Sequence, residues 1–101
     1  QKRYYLHRTS QWLGMDVHDA GTYFPGGQPR RLLPGMVLTI EPGLYVRPDD
    51  PDCPPEFRGI GIRIEDDVLI TDSGHQVLTE SLPKQPCEIE ALAGTGITFV
   101  L

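Results

Sequence analysis

Basic residues are scarce in this chain, with nine Lys and Arg against fourteen Asp and Glu and a formal net charge of −5. Only Lys2-Arg3 and Arg30-Arg31 set two of them side by side. Phosphate backbones are bound by clustered Lys and Arg, so nucleic acid is not an expected partner. Long apolar runs are lacking too. Nothing approaches the roughly 20 residues that a membrane-spanning helix needs, and no membrane partner is expected. The opening QKRYYLHRTS has no apolar stretch behind its basic residues and does not read as a signal peptide. It lacks an initiator Met, so the chain is expected to begin inside a longer protein, and the expected compartment is the cytoplasm. Cysteines number two, Cys53 and Cys87, with no CxxC or Cys/His spacing, which excludes the usual zinc patterns. Both sit in proline-rich segments expected to be exposed. Two unpaired thiols are the expectation, and a single disulfide is the alternative. There are no internal repeats. At 39% hydrophobic over 101 residues, the chain makes one small domain or part of a larger one.

What is present is a series of short alternating runs. Met36, Leu38 and Ile40 share one parity, and Val37, Thr39 and Glu41 the other, which predicts a strand over 36–41. Pro42-Gly43 interrupts it and 44–46 resume it. Ile60, Ile62 and Ile64 alternate with Gly61, Arg63 and Glu65, predicting a strand over 60–65. A third strand over 67–71 keeps Val68 and Ile70 on the apolar parity. Together these predict an antiparallel sheet with one apolar and one polar face. Asp72-Ser73-Gly74 is a turn signal and 76–79 reads as the returning strand, so 67–79 is expected to form a hairpin. Pro86, followed by Glu88 and Glu90, predicts a helix over 86–93. The segments 20–35 and 47–58 are rich in Gly, Pro and, in the second, acids; both are expected to be solvated loops. A short strand is expected near 16–18. The tail 94–101, GTGITFVL, is apolar and β-prone, an edge for pairing with another chain.

Two acids stand out. Glu41 and Glu65 each end a strand-like run, where charged side chains are usually paired or metal-bound. Neighbouring strands can aim two carboxylates at one hard divalent cation. Taken singly, each reads better as a solvent-facing acid, Glu65 being helped by Arg63 on the same face. His18, between Asp16 and Asp19, reads as a surface histidine or as a group that donates a hydrogen bond or moves a proton. His7 and His75 have weaker claims, His75 because it falls in a turn.

Three ordered stretches, TSQWLGMDVHDAG, LLPGMVLTIEPGLYV and FRGIGIRIEDDVLIT, resemble the C-terminal half of the catalytic domain of aminopeptidase P-type (Xaa-Pro aminopeptidase) metallopeptidases. These are enzymes of the pita-bread fold, related to prolidase and methionine aminopeptidase, and the resemblance covers about residues 4–93. It implies an α+β chain: a partial (half) pita-bread fold with a curved antiparallel sheet and a C-terminal helix, residues 1–101 forming one C-terminal half-domain. It implies two divalent metal ions, usually manganese, bridged by carboxylates and a water that attacks the peptide carbonyl before proline. The implied substrate is a peptide with proline at its second position.

By motif match, Glu41 would be a metal ligand that also handles the proton, and Glu65 would bridge both ions. His18 would contact the substrate carbonyl and His7 would line the same pocket. Tyr45 and Arg63 would form a hydrogen-bonding pair behind the ligands, with Asp16 a structural neighbour of His18. Three departures stand against this pattern. Gln11 occupies the position of the family's histidine ligand, and its amide oxygen is a poorer ligand than imidazole for manganese or zinc. The family's two aspartate ligands belong to the other half of the fold, upstream of this stretch. Arg8 stands where the family often has glycine. Little peptidase turnover is therefore expected from this chain alone. Two other readings remain: a catalytically silent half-domain, and a weak esterase built from His18, Ser10 and an acid. The last lacks a G-x-S-x-G elbow. A homo-oligomer is expected, because half of such a fold leaves a sheet edge and apolar surface to cover.

Overall fold

The computed structural model describes residues 3–95. They form β1 (Val37–Ile40), β2 (Gly43–Tyr45), β3 (Gly61–Arg63), β4 (Asp66–Thr71), β5 (Gly74–Val77) and α1 (Pro86–Leu92), an α+β arrangement. Single 3-10 turns occupy Pro25–Gly27 and Pro55–Phe57. All pairings are antiparallel, in the order β1-β4-β5 for one sheet and β2-β3 for the other.

The two sheets are one ribbon. β1 pairs with β4 from Val37↔Leu69 to Ile40↔Asp66, and β2 with β3 from Gly43↔Arg63 to Tyr45↔Gly61. The register crosses the gap without a slip, so Glu41 falls opposite Glu65 and Pro42 opposite Ile64. Pro42 has no N–H, so that pair keeps one ladder bond, from Ile64 N–H to the Pro42 carbonyl at 3.2 Å. Ladder bonds also join Met36 with Ile70 and Val46 with Ile60. The alternation makes Glu41/Glu65 a non-hydrogen-bonded pair, the kind whose side chains stand closest.

The other edge of β1 is taken by residues 9–13. Leu13 N–H donates to Val37 O at 3.2 Å, Thr39 N–H to Gln11 O at 2.9 Å and Glu41 N–H to Thr9 O at 2.8 Å. The strand predicted near 16–18 is absent; residues 14–18 are bends and turns. The reason is geometric, because β1 starts at Val37 and leaves no partner edge beyond Leu13. The hairpin turn is also shorter than its composition predicts. Thr71 pairs directly with Gly74, so the loop is Asp72-Ser73 and β5 ends at Val77 rather than continuing over 76–79.

One apolar side chain is buried among the described residues, Val68 at 4% exposure. The predicted apolar face exists, but Ile60, Ile62 and Ile64 lie exposed on it, with Leu44 and Phe57. A radius of gyration of 17.1 Å describes an open ribbon, against about 13 Å for a compact domain of this length. The loop 47–58 is not simply solvated. Arg3 reaches Asp50 and Asp52, Asp52 N–H caps Asp50 Oδ1 at 3.0 Å, and Asp50 is buried. Cys53 in the same loop is half-buried instead of exposed; it and the exposed Cys87 are both unpaired.

α1 begins at Pro86, where the Glu88 carboxylate accepts the Gln85 N–H at 3.3 Å, and Gly94 in the left-handed region follows its end. The strand-pairing expected of the tail falls mostly on residues 96–101, outside the described residues. Lys84 ties the segment before α1 to β4, with Nζ 3.0 Å from Asp66 Oδ1 and 3.2 Å from the carbonyls of Thr79 and Leu82. The Thr79 hydroxyl first, and Lys84 after it, hold the Asp66 carboxyl below its usual range. A depressed carboxylate contributes stability that is present above its unfolded pKa and lost as the pH falls through its folded value. Lys84→Met should therefore move the acid-unfolding midpoint to higher pH, by circular dichroism over roughly pH 5 to 2. An unchanged midpoint would show that the ion pair contributes nothing.

Candidate functional site

Period two and the shared register put Thr39, Glu41, Gly43 and Tyr45 on the same face as Asp67, Glu65, Arg63 and Gly61. Tyr45 lies across this face because the glycines leave it room. A Cβ on Gly43 would sit 2.7 Å from Tyr45 Oη and 2.9 Å from His7 Nε2, and one on Gly61 would sit 2.8 Å from Tyr45 Cδ1.

The ring organises a directed hydrogen-bond chain. Arg63 Nε donates to Tyr45 Oη at 2.8 Å, Tyr45 Oη is 2.9 Å from His7 Nε2, and His7 Nδ1 is 2.5 Å from the Arg8 carbonyl. A carbonyl only accepts, so His7 carries its proton on Nδ1, and the phenol gives its own hydrogen to Nε2. Both ring nitrogens of His7 are thereby engaged, which suits a group that orients its neighbours better than one that moves protons.

Glu41 is buried, at 6% exposure, yet satisfied. Thr39 Oγ1 donates to its Oε1 at 2.8 Å and Arg63 Nη1 lies 3.3 Å from its Oε2. Thr39 in turn accepts the Gln11 N–H at 3.0 Å. Glu65 is more open. Burial, then the charges of Glu41 and Asp67, push its carboxyl above the usual range, opposed by Arg63 and His7.

A cavity of about 370 Å³ opens over this face and gathers His7, Gln11, His18, Glu41 and Arg63. Glu65 and Tyr45 stand on the ribbon beside it, outside its lining. Asp16 is exposed and makes no hydrogen bond to His18 among the described residues, and His75 lies on β5, away from the cavity. Ser10 and His18 share the cavity without a hydrogen bond between them, so no nucleophile–base pair is formed.

Three residues of the site escaped sequence reasoning. Thr39 could have been found, since it sits two positions from Glu41 on one face. Tyr23, whose hydroxyl accepts the backbone N–H of Trp12 at 3.1 Å and whose ring stacks on the Trp12 indole at 5.4 Å, had no local signal. Asp19 stood next to His18 in the sequence but was given no role; its carboxylate crosses over Gly14, where a Cβ would lie 1.2 Å from Asp19 Oδ2.

The facing carboxylates of Glu41 and Glu65 have the donor chemistry of a hard divalent cation. They do not complete its coordination: among the described residues, no group of three or more His, Cys, Asp or Glu is placed to hold a metal ion.

A carboxylate-paired ribbon of this kind has a known setting. The model of metallopeptidase family M24 matches residues 1–72, and the chain belongs to that family. Its relatives include the Xaa-Pro aminopeptidase of Escherichia coli K12, 58% identical over 91 residues, which are 88% of this chain and 20% of that protein. The aminopeptidase PepP of Pseudomonas aeruginosa superimposes with a TM-score of 0.82 at 54% identity, over 89% of this chain and 20% of that one. A zinc-substituted Escherichia coli aminopeptidase P in complex with product gives a TM-score of 0.78 at 54% identity over the same 89% and 20% shares. The chain thus spans about a fifth of the length of these relatives, and its fold is part of their pita-bread fold.

Proposed function

We propose that this chain forms the carboxylate wall of a divalent-metal centre that cleaves the peptide bond before a proline at the second position of a peptide. The observation that carries the reading is the Glu41/Glu65 cross-strand pair beside a cavity that also holds His18. Glu41 and Glu65 would hold the metal, with manganese the expected ion. The metal's contribution is Lewis acidity, which lowers the pKa of water and stabilises negative charge on oxygen.

The chain's own residues have distinct tasks. Thr39 and Arg63 fix the two oxygens of Glu41. Glu41, facing the cavity, is the candidate acceptor for the proton released in hydrolysis. His18 makes no hydrogen bond among the described residues, so its ring N–H is available to a substrate carbonyl oxygen. His7 and Tyr45 keep Arg63 in place. The remaining metal donors are expected from outside these 101 residues. No helix among the described residues is long and apolar enough to cross a membrane, and the proposed compartment is the cytoplasm.

Two samples test this. The 101-residue chain alone should release no N-terminal residue from an Xaa-Pro peptide with added manganese. Grafted in place of the matching fifth of the Pseudomonas aeruginosa enzyme, it should support manganese-dependent cleavage that Glu65→Ala abolishes. Full cleavage by the Glu65→Ala graft would refute the metal role. A second reading, self-association, is favoured by an apolar groove of about 340 Å³ that includes Leu44, Phe57, Ile60 and Ile62. Light scattering of the isolated chain should then show a dimer or larger, and a stable monomer at micromolar concentration would argue against it.

A further inference from the structure

We infer that Arg8 is a specificity residue that takes a carboxylate of the substrate, so that the cavity prefers short proline peptides carrying one. This rests on the proposed placing of an Xaa-Pro peptide in the cavity, and it names the group by which such a peptide would be chosen.

The cavity's other polar groups are already engaged. Its volume of about 370 Å³ lies in the lower part of the roughly 300–1,000 Å³ range of small-ligand sites, which suits a short peptide. Arg63 serves Tyr45 and Glu41. Both ring nitrogens of His7 are taken. Gln11 Nε2 donates to the Val17 carbonyl at 2.7 Å, so the free end of that amide is its oxygen, an acceptor. Asp19 turns its carboxylate to the Ala20 N–H at 2.9 Å and over Gly14. With His18 reserved for the substrate carbonyl, the donors left for an anion are the Arg8 guanidinium and the Ser10 hydroxyl, both in the cavity lining. Arg8 makes no side-chain hydrogen bond or ion pair among the described residues.

Arg8 is nevertheless held in place. Its guanidinium carbon lies 5.9 Å over the centroid of the Tyr23 ring, within cation–π range. Tyr23 is fixed in turn, with its ring 14° from parallel to the Trp12 indole and its hydroxyl on the Trp12 backbone N–H. Gly21 backs the indole closely; a Cβ there would sit 2.1 Å from Trp12 Cδ1. The backbone is pinned as well, since the Arg8 carbonyl accepts from His7 and the Thr9 carbonyl takes the Glu41 N–H at 2.8 Å. A guanidinium that rests on a ring by its face keeps its edge N–H groups for a carboxylate, which matches that fork with two parallel bonds.

The experiment is a nuclear magnetic resonance titration of the full chain, without metal, that follows the Arg8 side-chain signal. The probes are the tripeptide Ala-Pro-Gly as free acid, the same peptide as C-terminal amide, and Ala-Pro-Glu amide. A carboxylate should tighten binding about threefold to tenfold over the neutral amide, between the worth of an exposed ion pair and that of a bidentate one. Because Arg8 is exposed, the gap should narrow as salt rises. Tighter binding of both acids means that any carboxylate serves; tighter binding of one names the terminus or the side chain as its source. Arg8→Gln should close the gap and Arg8→Lys should keep part of it. No gap between either acid and the neutral amide, whether all three bind or none, overturns the inference, as does a gap that survives Arg8→Gln. Hydrolysis is read separately in the grafted enzyme. An inactive graft beside an intact gap overturns the metal reading alone, and an active graft beside no gap overturns the role of Arg8 alone.

Discussion

Glu41→Ala should lower divalent-ion affinity by more than about a hundredfold while leaving the ribbon folded. Loss of a group that merely orients a ligand already costs about 10–100-fold in affinity, so loss of the proposed ligand itself should exceed that. Glu41 is the buried member of the carboxylate pair and the one with both oxygens held, by Thr39 and by Arg63. Among the described residues, its removal takes from the cavity the one acid that the ribbon contributes to its lining. The folding cost should be modest. Arg63 is half exposed and can return to water, while the buried Thr39 hydroxyl loses its acceptor, which costs about 1–3 kcal/mol. Glu65 would also be relieved of one of the like charges that push its carboxyl up. Calorimetric metal titration beside a thermal melt separates the two effects. Wild-type affinity in the Ala variant would remove Glu41 from the centre. A melt collapsed beyond a few kcal/mol would assign it to folding instead.

Gly43→Ala should destabilise the ribbon by about 1–3 kcal/mol, the usual cost of overpacking a filled site. In a domain of this size each kcal/mol lowers Tm by about 4–8 °C. The new methyl would meet Tyr45 Cε2 and Oη at 2.7 Å and His7 Nε2 at 2.9 Å. Tyr45 cannot simply swing aside, because Arg63 and His7 hold its hydroxyl from two sides. Gly43 is not needed for an unusual backbone angle, since it has no positive φ. The penalty should therefore vanish when Tyr45→Ala is made first, and a double-mutant cycle reads that coupling directly. An equal penalty in both backgrounds would locate the strain in the backbone. The displaced Tyr45 should also loosen Arg63, so the Ala variant is expected to bind metal more weakly than its stability loss alone explains.

Much of the polar face was legible because it depends on parity alone. Thr39 and Glu41 are spaced by two, as are Arg63 and Glu65, and strand geometry sends each pair to one side of its own strand whatever the rest of the chain does. Helix α1 was legible for a similarly local reason, Pro86 and Glu88 acting within a single turn. Where expectation failed, the cause lay at a distance. Acids and prolines in 47–58 say solvent, but Asp50 is buried beneath a half-exposed Arg3 that pairs with it from 47 positions away. The β-prone look of 16–18 had no edge to pair with. The alternating isoleucines were read correctly as one apolar face, yet composition contains no information about what covers a face, and here the described residues leave it open.

The amino-acid sequence by itself determined which residues can carry chemistry, since alternation and motif order put Glu41, Glu65, Gln11 and His18 among the candidates. Only the tertiary structure decided that Glu41 and Glu65 face each other, because strand register is a property of pairing. A one-residue slip would turn one of the two acids to the opposite face. The structure alone also decided which end of the Gln11 amide is free. That choice is made by the Val17 carbonyl six residues along, through a hydrogen bond whose direction no spacing in the sequence encodes.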